Sequence, residues 1–308
     1  MKKTLLSTIF LGFLLISCNY DADDKLIVDE DNQETEDYQF LSPEGIVYYT
    51  GLSDCTGSGD YNFDGNRVLE DLLIPDNLPQ TYDLSQYLPP IGDQGQQGSC
   101  VHWATTYYLK SFQERIESGL SYNDSRIMSP AYTYNQVTQG ICEGTALTSA
   151  LSILTVKGTT SIASFPYFDN TCNLQPTQTQ DLEAEANKIS DYKYLSGQNM
   201  VSEMKALIIE QTPILIAAFL SSEFGKTDEL GLTAYRDHAV DFSQEGGCHA
   251  MLVTGYSDTY NAFKVVNSWG EDWGENGFIW IDYAAFDNVL DDTAEFRVIN
   301  SAIVAYDL

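Results

Sequence analysis

Cys100, His249 and Asn267 are the residues of this chain whose types and order could support chemistry by a sulfur nucleophile. A thiolate needs a base to form it, and the base needs a partner that fixes its ring. Base and orienter are expected far away in sequence and close in space. His249 lies 149 residues beyond Cys100, and Asn267 follows it. Cys100 opens the segment CVHWATTYYLKSFQERIESG, in which Trp103, Tyr107, Leu109, Phe112 and Ile116 follow helical spacing and Gly119 ends the pattern. Ser99 is a candidate N-cap, which would place the thiol in the first helical turn, where unpaired N–H groups and the helix dipole favour thiolate. The segment Gly92 to Ser99 before it is glycine-rich and leaves polar side chains free to reach a carbonyl.

The elements that must position these groups follow from local pattern. Met251-Leu252-Val253, directly after His249, reads as a buried strand. His238 sits in a similar-looking stretch, but Asp241 breaks its apolar run, so it reads as a loop residue. His102 lies two residues from the cysteine and therefore on another helix face, which makes it a packing residue beside the site.

With these residues in view, the run Gln94 to Cys100 resembles the nucleophile segment of papain-like cysteine peptidases. The block VVNSWGEDWGENGFIWI is similar to the family's Asn-Ser-Trp-Gly motif and the Trp-Gly run after it. The resemblance implies Cys100 as nucleophile, His249 as base and then acid, Asn267 as orienter, and Gln94 as an oxyanion donor. Trp269 would shield the His–Asn contact, and Gly144, Thr145 and Ala250 would line the substrate backbone. It also implies the family's α+β fold: a helical lobe over about residues 78–190, a β-rich lobe with a barrel-like sheet over 191–308, and a cleft between them. Cys142 and Cys172 lie where the family often places a disulfide. Cys55 and Cys248 are expected to stay free thiols, with a bridge pinning the N-terminal segment across the site as the alternative.

The chain departs from the family pattern at Val101, Gln97 and Thr145, positions where many members carry Trp, Cys and Gly. No helical inhibitory prosegment of the long family type is visible before residue 78. A catalytically silent papain-like module that binds peptides or partners is the competing reading, since fold does not establish function. A cell-wall amidase of the other Cys–His group fits less well, because the Asn-Ser-Trp-Gly block is present.

The N-terminus reads as an address. Lys2 and Lys3 precede an apolar run from Leu5 to Ile16 that is too short to span a bilayer. Leu15-Ile16-Ser17-Cys18 resembles a bacterial lipobox, which implies cleavage after residue 17 and acylation of Cys18. The expectation is a cell-envelope lipoprotein at the outer membrane or cell surface, membrane-bound through its lipid and otherwise monomeric.

Residues 18–77 then read as an acidic tether or short pro-region. Over 19–77, 16 acidic residues face two basic ones, out of a formal charge of −30 for the 308-residue chain. So few cations disfavour nucleic acid as a partner, leaving a peptide or protein substrate. Asp60, Asn62 and Asp64, with Asp71 in the twelfth position, fit part of an EF-hand-type loop, but Arg67 and Val68 do not. No cofactor is expected to be required, with Ca2+ at residues 60–71 as the alternative.

Overall fold

The computed structural model describes residues 38–53, 67–70, 72–195, 199–236, 247–286 and 298–308. Two short strands, β1 (Gln39–Leu41) and β2 (Val47–Tyr49), form an antiparallel hairpin. β3 (Thr81–Asp83) follows.

The helical lobe starts at Cys100. Its first helix is continuous over residues 100–118. It begins as α1 (Cys100–His102), widens into a π-wound stretch over Trp103–Lys110, and ends as α2 (Ser111–Ser118). Gly119 closes it in the left-handed conformation, φ 66°, as the sequence pattern predicts. Every residue from Cys100 to Phe112 is buried. A helix buried on all sides in this way runs through the interior. Even Lys110 is buried, and its ammonium lies 2.7 Å from Glu114 and also meets Asp307. α3 (Pro130–Thr138) packs beside it, capped by Ser129, whose hydroxyl accepts from Tyr132 N–H at 3.2 Å. α4 (Leu147–Val156) buries Leu147, Ala150, Leu151 and Leu154, the i, i+3, i+4, i+7 stripe of an amphipathic helix. α5 (Gln178–Ala184) opens on a full capping box between Thr177 and Gln180.

The second lobe is built on a sheet. β4 (Ile189–Tyr194) leads to α6 (Met200–Ile209), then β5 (Ile214–Leu220), β6 (Lys226–Thr227), β7 (Thr233–Tyr235), β8 (Gly247–Ser257), β9 (Ala262–Val266), β10 (Phe278–Asp282) and β11 (Ile299–Asp307). Their order in the sheet is β4-β11-β5-β8-β9-β10-β7-β6, with β3 added on β8. All pairs are antiparallel except β10 with β7. The uninterrupted apolar run ILIAAFL of β5 is buried at all seven positions, because β5 lies between β8 and β11 and is covered on both faces. Its pairing with β8 sets Ala218 opposite His249 and so fixes the height of the histidine in the sheet. The α+β class expected from the sequence is therefore present.

Candidate active site

The Cys100 thiol, at the first turn of α1, reaches the sheet at the residue after His249: Ala250 N–H donates to Cys100 Sγ at 3.4 Å. Cysteine and histidine are both fully buried. On the far side of the ring, His249 Nε2 meets Asn267 Oδ1 at 2.7 Å. The oxygen is on that side because Asn267 Oδ1 also accepts the N–H of Ser268 at 2.8 Å. An oxygen cannot donate, so Nε2 carries the hydrogen and the neutral ring keeps its lone pair on Nδ1. His249 Nδ1 has no hydrogen-bond partner among the described residues. That atom is the one left to exchange a proton with the thiol.

Trp269 stacks on His249 at 4.7 Å between ring centroids, which keeps water from the His–Asn contact. Gln94 is buried beside them. Its Oε1 accepts from Ser268 Oγ at 2.6 Å, so the amide is turned with Nε2 outward. Its backbone is pinned by Gln94 N–H to Ser268 O at 2.8 Å and by the Tyr167 hydroxyl to Gln94 O at 2.8 Å. Ser268 thus orients both Asn267 and Gln94. Neither Ser268 nor Tyr167 stands out in the sequence beyond the motif that contains the serine.

Ser99 precedes the helix, but its side chain caps nothing. It bonds the Tyr167 hydroxyl at 2.7 Å instead. The local argument for a thiolate is also overridden. Burial pushes the Cys100 thiol up to about 12, against the amide hydrogen bonds that pull it down. Burial likewise pulls His249 down to about 4, opposed by its hydrogen bond to Asn267. In this structure the pair is neutral thiol and neutral imidazole.

The chain's own residues 38–53, hereafter the strap, bind the residues around this buried pair. Gln94 Nε2 donates to Thr50 O at 2.8 Å and to Gln97 O at 2.9 Å. Thr145 N–H donates to Gly51 O at 2.9 Å, Ser53 N–H donates to Thr145 O at 3.1 Å, and Leu52 N–H donates to Cys248 O at 3.2 Å. One extended segment is therefore held by Thr145 on one wall and by the residue before His249 on the other. Leu52 and Thr145 pair in the parallel sense. Trp269 supplies a seat for the strap's aromatics, stacking Tyr48 at 4.7 Å and Phe40 at 5.6 Å, and its Nε1–H donates to Tyr49 O at 2.7 Å. Gly51 makes this approach feasible. Its φ is 128°, and a Cβ there would lie 2.1 Å from the carbonyl carbon of Gly98. Gly144, on the facing wall, lies against the Tyr38 ring. No residue of the strap carries a motif that announces this role.

Cys142 and Cys172 form a disulfide. Cys100 is a free cysteine. Cys248 does not stay a free thiol as expected; it is disulfide-bonded. Cys18 and Cys55, like His238 and the calcium candidates Asp60, Asn62, Asp64 and Asp71, lie outside the described residues. Gln97 is buried and donates to Thr171 O at 3.3 Å, and Val101 is part of the core.

A free thiol at a helix start, a buried sheet histidine with Nδ1 unpartnered, and a carboxamide fixing the ring are the groups of a cysteine peptidase. The chain belongs to the papain family of cysteine proteases, whose model matches residues 78–292. A cathepsin B-like protein of Giardia intestinalis, CP2, is 28% identical over 66% of this chain and 68% of its own length. A second one, CP3, is 30% identical over 67% and 69%. The gamete and mating-type specific protein A of Dictyostelium discoideum is 27% identical over 68% of this chain, which spans only 43% of that protein. Among solved structures, xylellain, a cysteine protease from Xylella fastidiosa, superposes with a TM-score of 0.66 at 20% identity, covering 84% of this chain and 97% of its own. Bromelain from Ananas comosus does so at 0.55 and 20%, covering 75% and 100%. A peptidase of this family needs no cofactor, and its substrates are peptides or proteins.

Proposed function

We propose that this cysteine peptidase is an endopeptidase working through Cys100, His249 and Asn267 and an acyl-enzyme, made in a latent form that the strap holds closed. The observation that carries the reading is the Asn267 Oδ1 contact to His249 Nε2, which leaves Nδ1 as the basic atom available to the thiol. When the strap leaves, the Cys100 proton passes to Nδ1 and the thiolate attacks the substrate carbonyl carbon. The carbonyl oxygen becomes an oxyanion where Thr50 O now lies, and Gln94 Nε2–H stabilises it. His249 returns the proton to the departing amine, and water, deprotonated by the same ring, releases the acyl group. Trp269 keeps the His249–Asn267 bond dry throughout.

Full burial of Cys100 favours, as a second reading, a silent module that binds partners. Labelling of the full chain with a peptidyl epoxide decides between the two. The wild type is expected to label slowly and Cys100→Ala not at all. Equal labelling of both overturns the peptidase mechanism.

We place the enzyme at the cell envelope, anchored by acylated Cys18 and acting as a monomer, with residues preceding the strap as a spacer. The lipobox-like tetrad supports this. Among the described residues no helix is long and apolar enough to cross a membrane. Fatty-acid incorporation that persists in Cys18→Ala overturns the anchor, and a dimer mass in sedimentation overturns the monomer.

A further inference from the structure

Among the described residues, His102 is the histidine that the mechanism leaves unused, and it is buried completely two residues after the nucleophile. Its ring is fully engaged. Nδ1 lies 2.8 Å from Thr133 Oγ1, and Nε2 lies 3.0 Å from Thr145 Oγ1. Thr133 continues the chain to Thr106 at 2.8 Å and donates to Pro130 O at 3.2 Å. Tyr134 meets the His102 ring edge at 5.2 Å between centroids. Burial holds His102 down at about 3, so the ring is neutral, with one nitrogen donating and the other accepting. The Thr133 proton goes to Pro130 O, so His102 Nδ1–H donates to Thr133 and Nε2 accepts from the Thr145 hydroxyl.

The far end of this chain is Thr145, whose backbone N–H and C=O bind an extended segment beside the cleft. Its own side chain is thereby tied to the helix that carries Cys100. We infer that His102 is a positioning residue that fixes Thr145, and with it the backbone edge on which an extended peptide substrate pairs, in register with the nucleophile. This rests on the peptidase reading of the site. His102 acts only through Thr145 and touches no reacting atom. The threonine therefore has a use that a glycine at this position could not serve, since a glycine offers no hydroxyl for the ring.

The test compares two substrates on the full chain. An internally quenched peptide can pair with Thr145, whereas p-nitrophenyl acetate has no amide to pair. Strap displacement affects both substrates alike and cancels in the ratio of their kcat/KM values, each corrected for Cys100→Ala. Loss of one neutral hydrogen bond is expected to lower the peptide-to-ester ratio about fivefold in Thr145→Val and in His102→Leu. The loss should appear chiefly as a raised KM for the peptide, and Thr145→Ser should restore the ratio. Variants that lose thermal stability but keep the wild-type ratio overturn the inference, because they show a purely structural histidine. Thr145→Val leaves the His102 ring in place and decides the matter alone if His102→Leu does not fold. A wild type that turns over the ester but shows no ratio change in either variant overturns the inference while the peptidase reading stands. Inertness toward both substrates in the wild type and even in Gly51→Ala, in which the strap is loosened, overturns both.

Discussion

The side-chain amide of Gln94 donates to the carbonyl oxygen of Thr50 at 2.8 Å, so the group proposed to stabilise an oxyanion already holds a carbonyl of its own chain. In the proposed mechanism the same residue is a lock in one state and an oxyanion donor in the other.

That double role gives Gln94→Ala two readouts that move in opposite directions. Removing an oxyanion donor is expected to lower kcat by roughly 10²- to 10³-fold. Removing the strap's anchor should at the same time speed alkylation of Cys100 by iodoacetamide. If turnover falls without faster alkylation in a variant that keeps the wild-type circular dichroism, Gln94 does not anchor the strap.

Gly51 offers a cleaner handle on closure, since it lies outside the proposed machinery. An alanine there has to accept φ 128° and a Cβ 2.1 Å from the Gly98 carbonyl carbon. Backbone faces backbone at that point, and neither side can yield cheaply. Gly51→Ala is therefore expected to raise the alkylation rate of Cys100 at least about tenfold, the equivalent of some 1.4 kcal/mol lost from closure. An unchanged rate in a folded variant would show that the strap does not control access.

Acidity should also weaken the closed form. His249 titrates at about 4 when covered, below its ordinary 6.5, because burial disfavours the imidazolium. The open or unfolded chain therefore takes up a proton that the closed form refuses. Stability is full above pH 6.5 and declines as the pH falls toward 4, by up to about 3 kcal/mol from this ring. His102, held at about 3, adds to the decline in the same direction. Asp83, Asp191 and Asp228 are held below the usual carboxylate value, so their losses come at lower pH. Urea midpoints measured between pH 7 and 4 for wild type and His249→Asn check this. The wild type should lose more, and parallel curves would refute the assignment to His249.

The Cys142–Cys172 bridge closes a loop of sequence separation 30 on the wall that carries Gly144 and Thr145. Constraining a loop of that length in the unfolded chain is worth about 3–4 kcal/mol. The double variant Cys142→Ser/Cys172→Ser should lose close to that amount in denaturant unfolding. A loss below about 1 kcal/mol would mean the wall is held by packing alone.

Much of the site is legible from residue type and order, because the chemistry itself demands them. A thiol, a base and an orienter must be distinct residues, and their segments read locally as helix start, buried strand and aromatic turn. The helix from Cys100 to its end at Gly119 follows its apolar spacing. What misleads is environment. First-turn amides argue for a thiolate at Cys100, and burial overrules them. Ser99 has the right type for a cap, yet its hydroxyl goes to Tyr167.

The strap is illegible for another reason. It binds mostly through backbone atoms of Thr50, Gly51, Leu52 and Ser53, and backbone pairing leaves no signature in side-chain pattern. Only Gly51 bears the mark of the fit. Cys248 shows the same limit, since its bonded state is not written in its spacing.

Trp269 stacks on His249 and also on Tyr48 and Phe40, and its N–H is bound to Tyr49 O. Its indole therefore has one electronic environment when the strap is seated and another when it is not. The protein carries an intrinsic optical gauge of its own latency: departure of the strap unstacks two rings, frees the indole N–H to water and shifts the emission of a chromophore already in contact with His249.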